Sequence, residues 1–222
     1  MSEFGDFLYQ DPRPLPVILL LDTSGSMSLD ENIETLKVAV REMIQNFKSS
    51  SNAIVSIRVG IIIFGGDEAE LFLPLSDVSE IDVNCMESVC ASGRTPMGSA
   101  IRLAKKIVDD RKQIPGRAYA PTVVAVTDGQ PNDEWENALV DFIHNGRSAR
   151  CERMAMGIGE EVKTGPAYEM LEKFVSHPDY LFGADDSLQI SEFFRFVTMS
   201  TICRSHGTKP GDLANSGNLN EE

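Results

Sequence analysis

Leu19-Leu20-Leu21-Asp22-Thr23-Ser24-Gly25-Ser26-Met27 sets an apolar run directly against an alternating series of oxygen donors. The apolar part starts at Val17, and five such residues in a row read as a strand carried to the edge of a buried sheet. Asp22, Ser24 and Ser26 then place side-chain oxygens at every second position among small neighbours. That is half of a site for a hard divalent cation. The carboxyl edge of a sheet is where α/β proteins gather their ligands, so the other half must come from equivalent strand ends elsewhere.

Working outward, Ser28-x-x-Glu31 has the form of a capping box, and Ile33, Leu36, Val40, Met43, Ile44 and Phe47 follow at helical spacing. The spacing predicts a helix over 30–48. A β-branched run over 54–64 ends at Gly65-Gly66-Asp67, and the short segment 70–75 contains Pro74. This pair predicts a hairpin whose second strand lies at the sheet edge, because proline cannot donate to a central ladder. Met97, Ala100, Ile101, Ala104 and Val108 line a second helix, closed by Pro115-Gly116.

Residues 122–127 predict a buried strand ending in Thr127-Asp128-Gly129, which repeats the acid-at-strand-end design. A helix through Trp135, Leu139, Phe142 and Ile143 follows, then a strand over 154–158 and a helix through Met170, Leu171, Phe174 and Val175. A short strand over 180–182 and a final helix over 188–202 complete the pattern. Such alternation predicts an α/β fold of Rossmann-like, doubly wound type: a mostly parallel sheet with one antiparallel edge strand and helices on both faces. The expected divisions are an N-terminal extension (1–13), the domain itself (14–203) and a tail (204–222), rich in Gly, Pro, Asn and Ser, that is expected to be disordered.

The 222 residues support one core, and 34 acidic against 20 basic side chains give a net charge of −14. That balance argues against broad electrostatic binding to nucleic acid or an anionic membrane and suits a cation or a basic partner. No basic segment followed by an apolar stretch opens the chain, and no apolar run approaches the roughly 18 residues of a membrane span. The expected location is cytoplasmic. Cys85, Cys90, Cys151 and Cys203 lack zinc-site spacing and read as reduced structural thiols, with the closeness of Cys85 and Cys90 the one exception to note.

Three loops share the donor pattern: Asp22-Thr23-Ser24-Gly25-Ser26, Gly93-Arg94-Thr95-Pro96-Met97-Gly98 and Thr127-Asp128-Gly129-Gln130-Pro131-Asn132-Asp133. Together they resemble the von Willebrand factor A family and its metal-ion-dependent adhesion site (MIDAS), built from an Asp-x-Ser-x-Ser loop, a separate threonine and a separate aspartate. The resemblance covers 14–203. It implies that Ser24 and Ser26 bind a metal through their hydroxyls, with Thr95 doing so in one conformational state, while Asp22 and Asp128 act mostly through bound water. Hard oxygens around a partly hydrated ion suit Mg²⁺, and Mn²⁺ suits the same donors. In the family a Glu or Asp of a partner protein completes the coordination, and metal binding is coupled to movement of the last helix. The phrasing of the three loops is most similar to small bacterial TerY-like proteins linked to tellurium resistance. These are associated with kinase-like and phosphatase-like companions, which implies a role in stress signalling. Arg94 departs from that group, where a small residue is usual.

Two other readings stand beside this one. Asp22 at a strand end beside Mg²⁺ fits a metal-dependent phosphatase or hydrolase, but Ser24 stands where such sites carry a second Asp, and no matching lysine motif is evident. The chain is therefore expected not to be an enzyme. A scaffold with a vestigial metal site is the third reading. Asp133 reads as the N-cap of the helix containing Trp135. His144, His177 and His206 lack ligand spacing, and Gly157-x-Gly159 lacks the third glycine of a dinucleotide motif.

Overall fold

The computed structural model describes residues 11–51, 54–159, 162 and 164–206. Six strands, β1 (Arg13–Asp22), β2 (Val55–Phe64), β3 (Ala69–Asp77), β4 (Thr122–Thr127), β5 (Glu152–Ile158) and β6 (Leu181–Ala184), form one sheet in the order β3-β2-β1-β4-β5-β6. All pairings are parallel except β2 with β3. The expected hairpin edge is present. Its register slips from Val59 opposite Ser76 to Ile61 opposite Leu73, so Pro74 falls in an irregular stretch where no ladder donor is needed.

Among the described residues five α-helices cover the sheet: α1 (Asn32–Ser50), α2 (Met97–Asp109), α3 (Glu136–His144), α4 (Gly165–Phe174) and α5 (Ser187–His206). Because side chains alternate along a strand, β1 feeds two cores at once. Val17, Leu19 and Leu21 point to one face with Leu36, Val40 and Phe47 of α1 and Phe193 and Val197 of α5. Ile18 and Leu20 point to the other with Ile101, Leu139, Phe142 and Phe174 of α2, α3 and α4. All of these are buried, and each large side chain so placed contributes about 2 kcal/mol of transfer free energy. The unbroken apolar run of β1 follows from burial on both faces.

The topology also fixes where a site can form. From β1 the chain moves through α1 to β2 on one side, while β4, β5 and β6 extend the sheet on the other. Parallel neighbours β1 and β4 therefore flank the point where the winding reverses, with Leu21 opposite Val126. Asp22 and Asp128 stand at the carboxyl ends of those two strands. In open α/β sheets such a reversal is where ligands bind, because the connections leave in opposite directions.

Two local expectations need correction. The capping box does not form: Ser28 donates to the Gly25 carbonyl (2.7 Å), and α1 starts at Asn32 with no side-chain cap. Gly25–Glu31 forms 3₁₀ turns broken by a kink at Leu29 and Asp30; buried Met27 anchors them, and Asp30 and Glu31 take left-handed backbone angles (φ 49° and 57°). The chain spends these residues turning the serine loop inward, which leaves Ser28 too early to cap. The last helix also runs past its expected end to His206, with Arg204 donating to Thr122 Oγ1 and the Ala120 carbonyl (both 2.7 Å). Residues 1–10 of the extension and 207–222 of the tail lie outside the described residues. Among the described residues no helix is long and apolar enough to cross a membrane. Cys151 and Cys203 are buried, and burial pushes the Cys151 thiol up to about 12, which keeps it unreactive.

Candidate metal centre

Asp22, the last residue of β1, is fully buried, yet its carboxylate is held from two sides. The backbone N–H of Ser24 donates to Oδ1 (2.7 Å), closing an Asx turn that points the serine loop back over the strand end. Thr127, the last residue of β4, donates its hydroxyl to Oδ2 (2.5 Å). Burial raises the Asp22 pKa to about 6; the bonds from Ser24 and Thr127 pull it down, and the charge of Asp128 adds to the rise. Among the described residues no cation forms an ion pair with the Asp22 carboxylate.

The other oxygens converge on the same corner. Ser24 Oγ and Ser26 Oγ lie 3.1 Å apart, and Ser26 Oγ donates to Asp128 Oδ1 (2.7 Å). Gly129 closes the group: a Cβ there would stand 3.4 Å from Thr95 Oγ1 and 3.7 Å from Ser26 Oγ, so the third hydroxyl flanks the same glycine. The structure thus joins Asp22, Ser24, Ser26 and Asp128 through hydrogen bonds within one loop pair, and sets Thr95 alongside without a hydrogen bond to them. Neighbouring oxygens around an octahedral ion with bonds near 2.1 Å are about 3 Å apart, which is the spacing of the two serine hydroxyls. Three hydroxyls and two carboxylates make a hard donor set, with little to offer a soft metal.

Backbone contacts stitch the loops together. Thr23 N donates to the Phe64 carbonyl, Ser92 N to Thr23, and Gly25 N to Gly93 (2.7–3.2 Å). Gly93 is required at its position: its φ is +77°, and a Cβ would meet the Gly65 carbonyl at 2.2 Å. Thr95 is held at its backbone by Asn132, whose side-chain oxygen accepts from Thr95 N (2.9 Å) while its nitrogen donates to the Thr95 carbonyl (3.2 Å). Asp133 does not cap α3. It accepts from Gly98 N (2.8 Å) and Ser99 N (2.7 Å) and so caps α2 from another loop. With that cap supplied by Asp133, the Thr95 hydroxyl is not needed to start α2.

Thr127, Asn132 and Asp133 were not among the sequence-derived site residues. Thr127 and Asn132 flank Asp128 in the same motif, and that adjacency was the available signal. Arg94 is exposed beside Thr95, with no side-chain hydrogen bond or ion pair among the described residues.

Residues 17–130 match the model of the von Willebrand factor type A domain. An uncharacterized protein of Mycobacterium tuberculosis is 24% identical over 181 residues, covering 76% of this chain and 28% of the relative. Among solved structures, mussel byssus proximal thread matrix protein 1, with a zinc-occupied MIDAS motif, superposes with a TM-score of 0.66 at 16% identity. That match covers 87% of this chain and 49% of the mussel protein. The pilus adhesin SpaC of Lactobacillus rhamnosus GG, in its open conformation, gives 0.68 at 14% identity, covering 88% and 31%. The chain spans less than half the length of each of these proteins, and at such identities the structural likeness speaks for the fold alone.

Proposed function

Because the chain belongs to the von Willebrand factor type A domain family, we propose that it is a non-enzymatic interaction module that grips an acidic side chain of a partner protein through a divalent cation. The observation that carries this reading is the row of oxygens from Ser24 through Ser26 to Asp128, spaced for a hard ion and backed by an Asp22 carboxylate that burial leaves short of positive charge. Ser24, Ser26 and Thr95 would hold the ion by their hydroxyls, and Asp22 and Asp128 would neutralise it. Mg²⁺ is the favoured ion, with Mn²⁺ an acceptable substitute. When bound, the metal supplies an electrophilic position toward an outside carboxylate. Hydroxyl ligands add no charge, so two carboxylates bring the centre only to neutrality, and a third from a partner is welcome. Arg94 on the rim adds a cation that favours the same ligand.

Hydrolysis using Asp22 is disfavoured by the same geometry. Both carboxylate oxygens are engaged, by Ser24 N and by the Thr127 hydroxyl, and the residue is sealed from solvent. A nucleophile needs a free, approachable oxygen. The resemblance of the loop phrases to TerY-like proteins supports a bacterial stress-response setting of the tellurium-resistance type, in the cytoplasm, with kinase-like or phosphatase-like companions as partners.

The test is a thermal shift with Mg²⁺, Mn²⁺ and Zn²⁺, followed by capture of partners on the immobilised chain with Mg²⁺ and their release by EDTA. The expected result is a rise in Tm with Mg²⁺ or Mn²⁺ that vanishes in Asp22→Ala and Ser26→Ala, and capture that needs the metal. No shift with any of the three ions would sink the proposal. Partner affinity indifferent to both chelation and Thr95→Ala would sink it equally.

A further inference from the structure

At the opposite end of the sheet lies a second concavity that the metal centre does not use. A cavity of about 430 Å³ is enclosed by the segment following α2, the entry to β4 and the turn after α3, and Arg111, Tyr119, Pro121, Gly146, Arg147 and Arg150 are among its walls. Pro121 immediately precedes β4 and Asp128 immediately follows it, so the length of this strand, roughly 20 Å, separates the cavity from the metal centre.

Three arginines face one cavity on a chain whose net charge is −14. Arg147 is fixed in the wall, donating to the carbonyls of Val108 (3.1 Å), Ile114 (2.7 Å) and Pro115 (3.4 Å). Arg111 and Arg150 are exposed and have no side-chain hydrogen bond or ion pair among the described residues. The nearby carboxylates are committed elsewhere. Asp109 accepts from the backbone N–H of Arg147 and Ser148 and pairs with Lys105 (3.1 Å). Asp110 accepts from Lys112 N and the Gln113 amide within its own turn. Among the described residues two guanidinium forks thus have no anion at the mouth of a half-open cavity whose wall carries a third.

We propose that this cavity binds a phosphate group. A guanidinium fork matches phosphate oxygens two at a time, and a doubly charged group with three acceptor oxygens engages Arg111 and Arg150 together with more charge and more acceptors than a single carboxylate offers. The volume exceeds what the phosphate itself needs and falls in the range of small-molecule sites, so the group arrives attached to something. The source is either a free phosphorylated small molecule or a phosphorylated side chain of a protein. The proposal is independent of the metal centre.

Titration calorimetry on the full chain in EDTA, so that no metal contributes, tests it with two probes: pyrophosphate and a phosphoserine peptide paired with its unphosphorylated form. The expected result is saturable one-to-one binding that weakens about tenfold for each guanidinium removed in Arg111→Gln and Arg150→Gln, and is unchanged in Asp22→Ala. Tighter binding of pyrophosphate points to a small molecule; tighter binding of the phosphopeptide over its unphosphorylated form points to a protein. Both substitutions are at exposed positions, and an unchanged Tm verifies that the fold is kept. Absence of saturation with both probes overturns the proposal. So does wild-type affinity in the double variant, or a loss of binding in Asp22→Ala.

Discussion

The two ends of the central sheet solve opposite problems with the same strands. At the carboxyl ends of β1 and β4, oxygens face oxygens: Asp22, Ser24, Ser26 and Asp128 share a few protons among many acceptors. At the amino ends, arginines face backbone carbonyls. Arg13 donates to Arg117, Arg58 to Gln113 and Leu75, Arg147 to three carbonyls, Arg153 to Phe174, and Arg204 to Ala120. One guanidinium has five donors in a fixed fork and can close several loop ends at once. Among the described residues the arginines of the amino end find their acceptors within the protein, apart from Arg111 and Arg150, whereas the carboxyl end gathers acceptors where the proposed cation would sit. Substitutions at the first end should cost stability whatever the metal, and those at the second should change sign with it.

The strongest way to break this contrast is Arg147→Ala. Three carbonyls that end α2 and its following turn lose a half-buried charged donor, and at 1.5 kcal/mol or somewhat less for each bond the loss is about 4 kcal/mol. Urea unfolding should give that loss equally with Mg²⁺ and with EDTA. A loss that appears in only one of the two conditions would mean that the two ends are coupled.

Asp22→Asn probes the other end. The folded pKa of Asp22 is raised from 3.8 to about 6, chiefly by burial. Below the unfolded value both states hold the proton and there is no penalty. As pH rises through the window from about 4 to about 6 the unfolded chain ionises first, and above it the folded state bears the full cost, on the order of 3 kcal/mol. Asparagine does not titrate. It can keep the bond from Ser24 N and donate to Thr127 Oγ1, whose own proton can turn to the Gly129 carbonyl, 3.3 Å away. The metal-free variant should therefore be more stable than wild type at pH 7.5 by up to about 3 kcal/mol, and the two should converge near pH 4. Saturating Mg²⁺ should reverse the order, because only the carboxylate gains from the ion. A metal-free variant less stable than wild type at pH 7.5 would show that Asp22 is already compensated.

What could be read from the sequence divides along the same line. β1 and β4 were legible because burial on both faces forces an unbroken apolar run, and an acid ending such a run, as Asp22 and Asp128 do, stands out. The amino end was not legible. Its arginines come from positions as distant as Arg13 and Arg204 and act on carbonyls, which every residue carries, so no residue pattern records them. Ser28 and Asp133 misled for a related reason. Each has the chemistry of a helix cap, but local spacing cannot show that Ser28 is used up by the turn at Gly25, or that Asp133 serves a helix lying before it in the chain. Thr127 was hidden by looking like an ordinary buried β-branched residue until its hydroxyl was seen to meet Asp22.

Asp133 gives the smallest and most discriminating effect. It caps α2 through Gly98 N and Ser99 N, and α2 begins two residues after Thr95. Removing a cap of this kind costs about 1 kcal/mol, so Asp133→Ala should lower stability slightly in EDTA. If the cap also sets where Thr95 stands, Mg²⁺ affinity should fall by roughly threefold to tenfold, a loss on the order of 1 kcal/mol. Asp133→Asn, which keeps one acceptor oxygen, should recover part of both. Loss of stability with Mg²⁺ affinity untouched would confine Asp133 to the helix. It would also leave the Thr95 loop positioned by Asn132 and the backbone contacts alone, and the carboxyl end would then be built from two independent clamps rather than one.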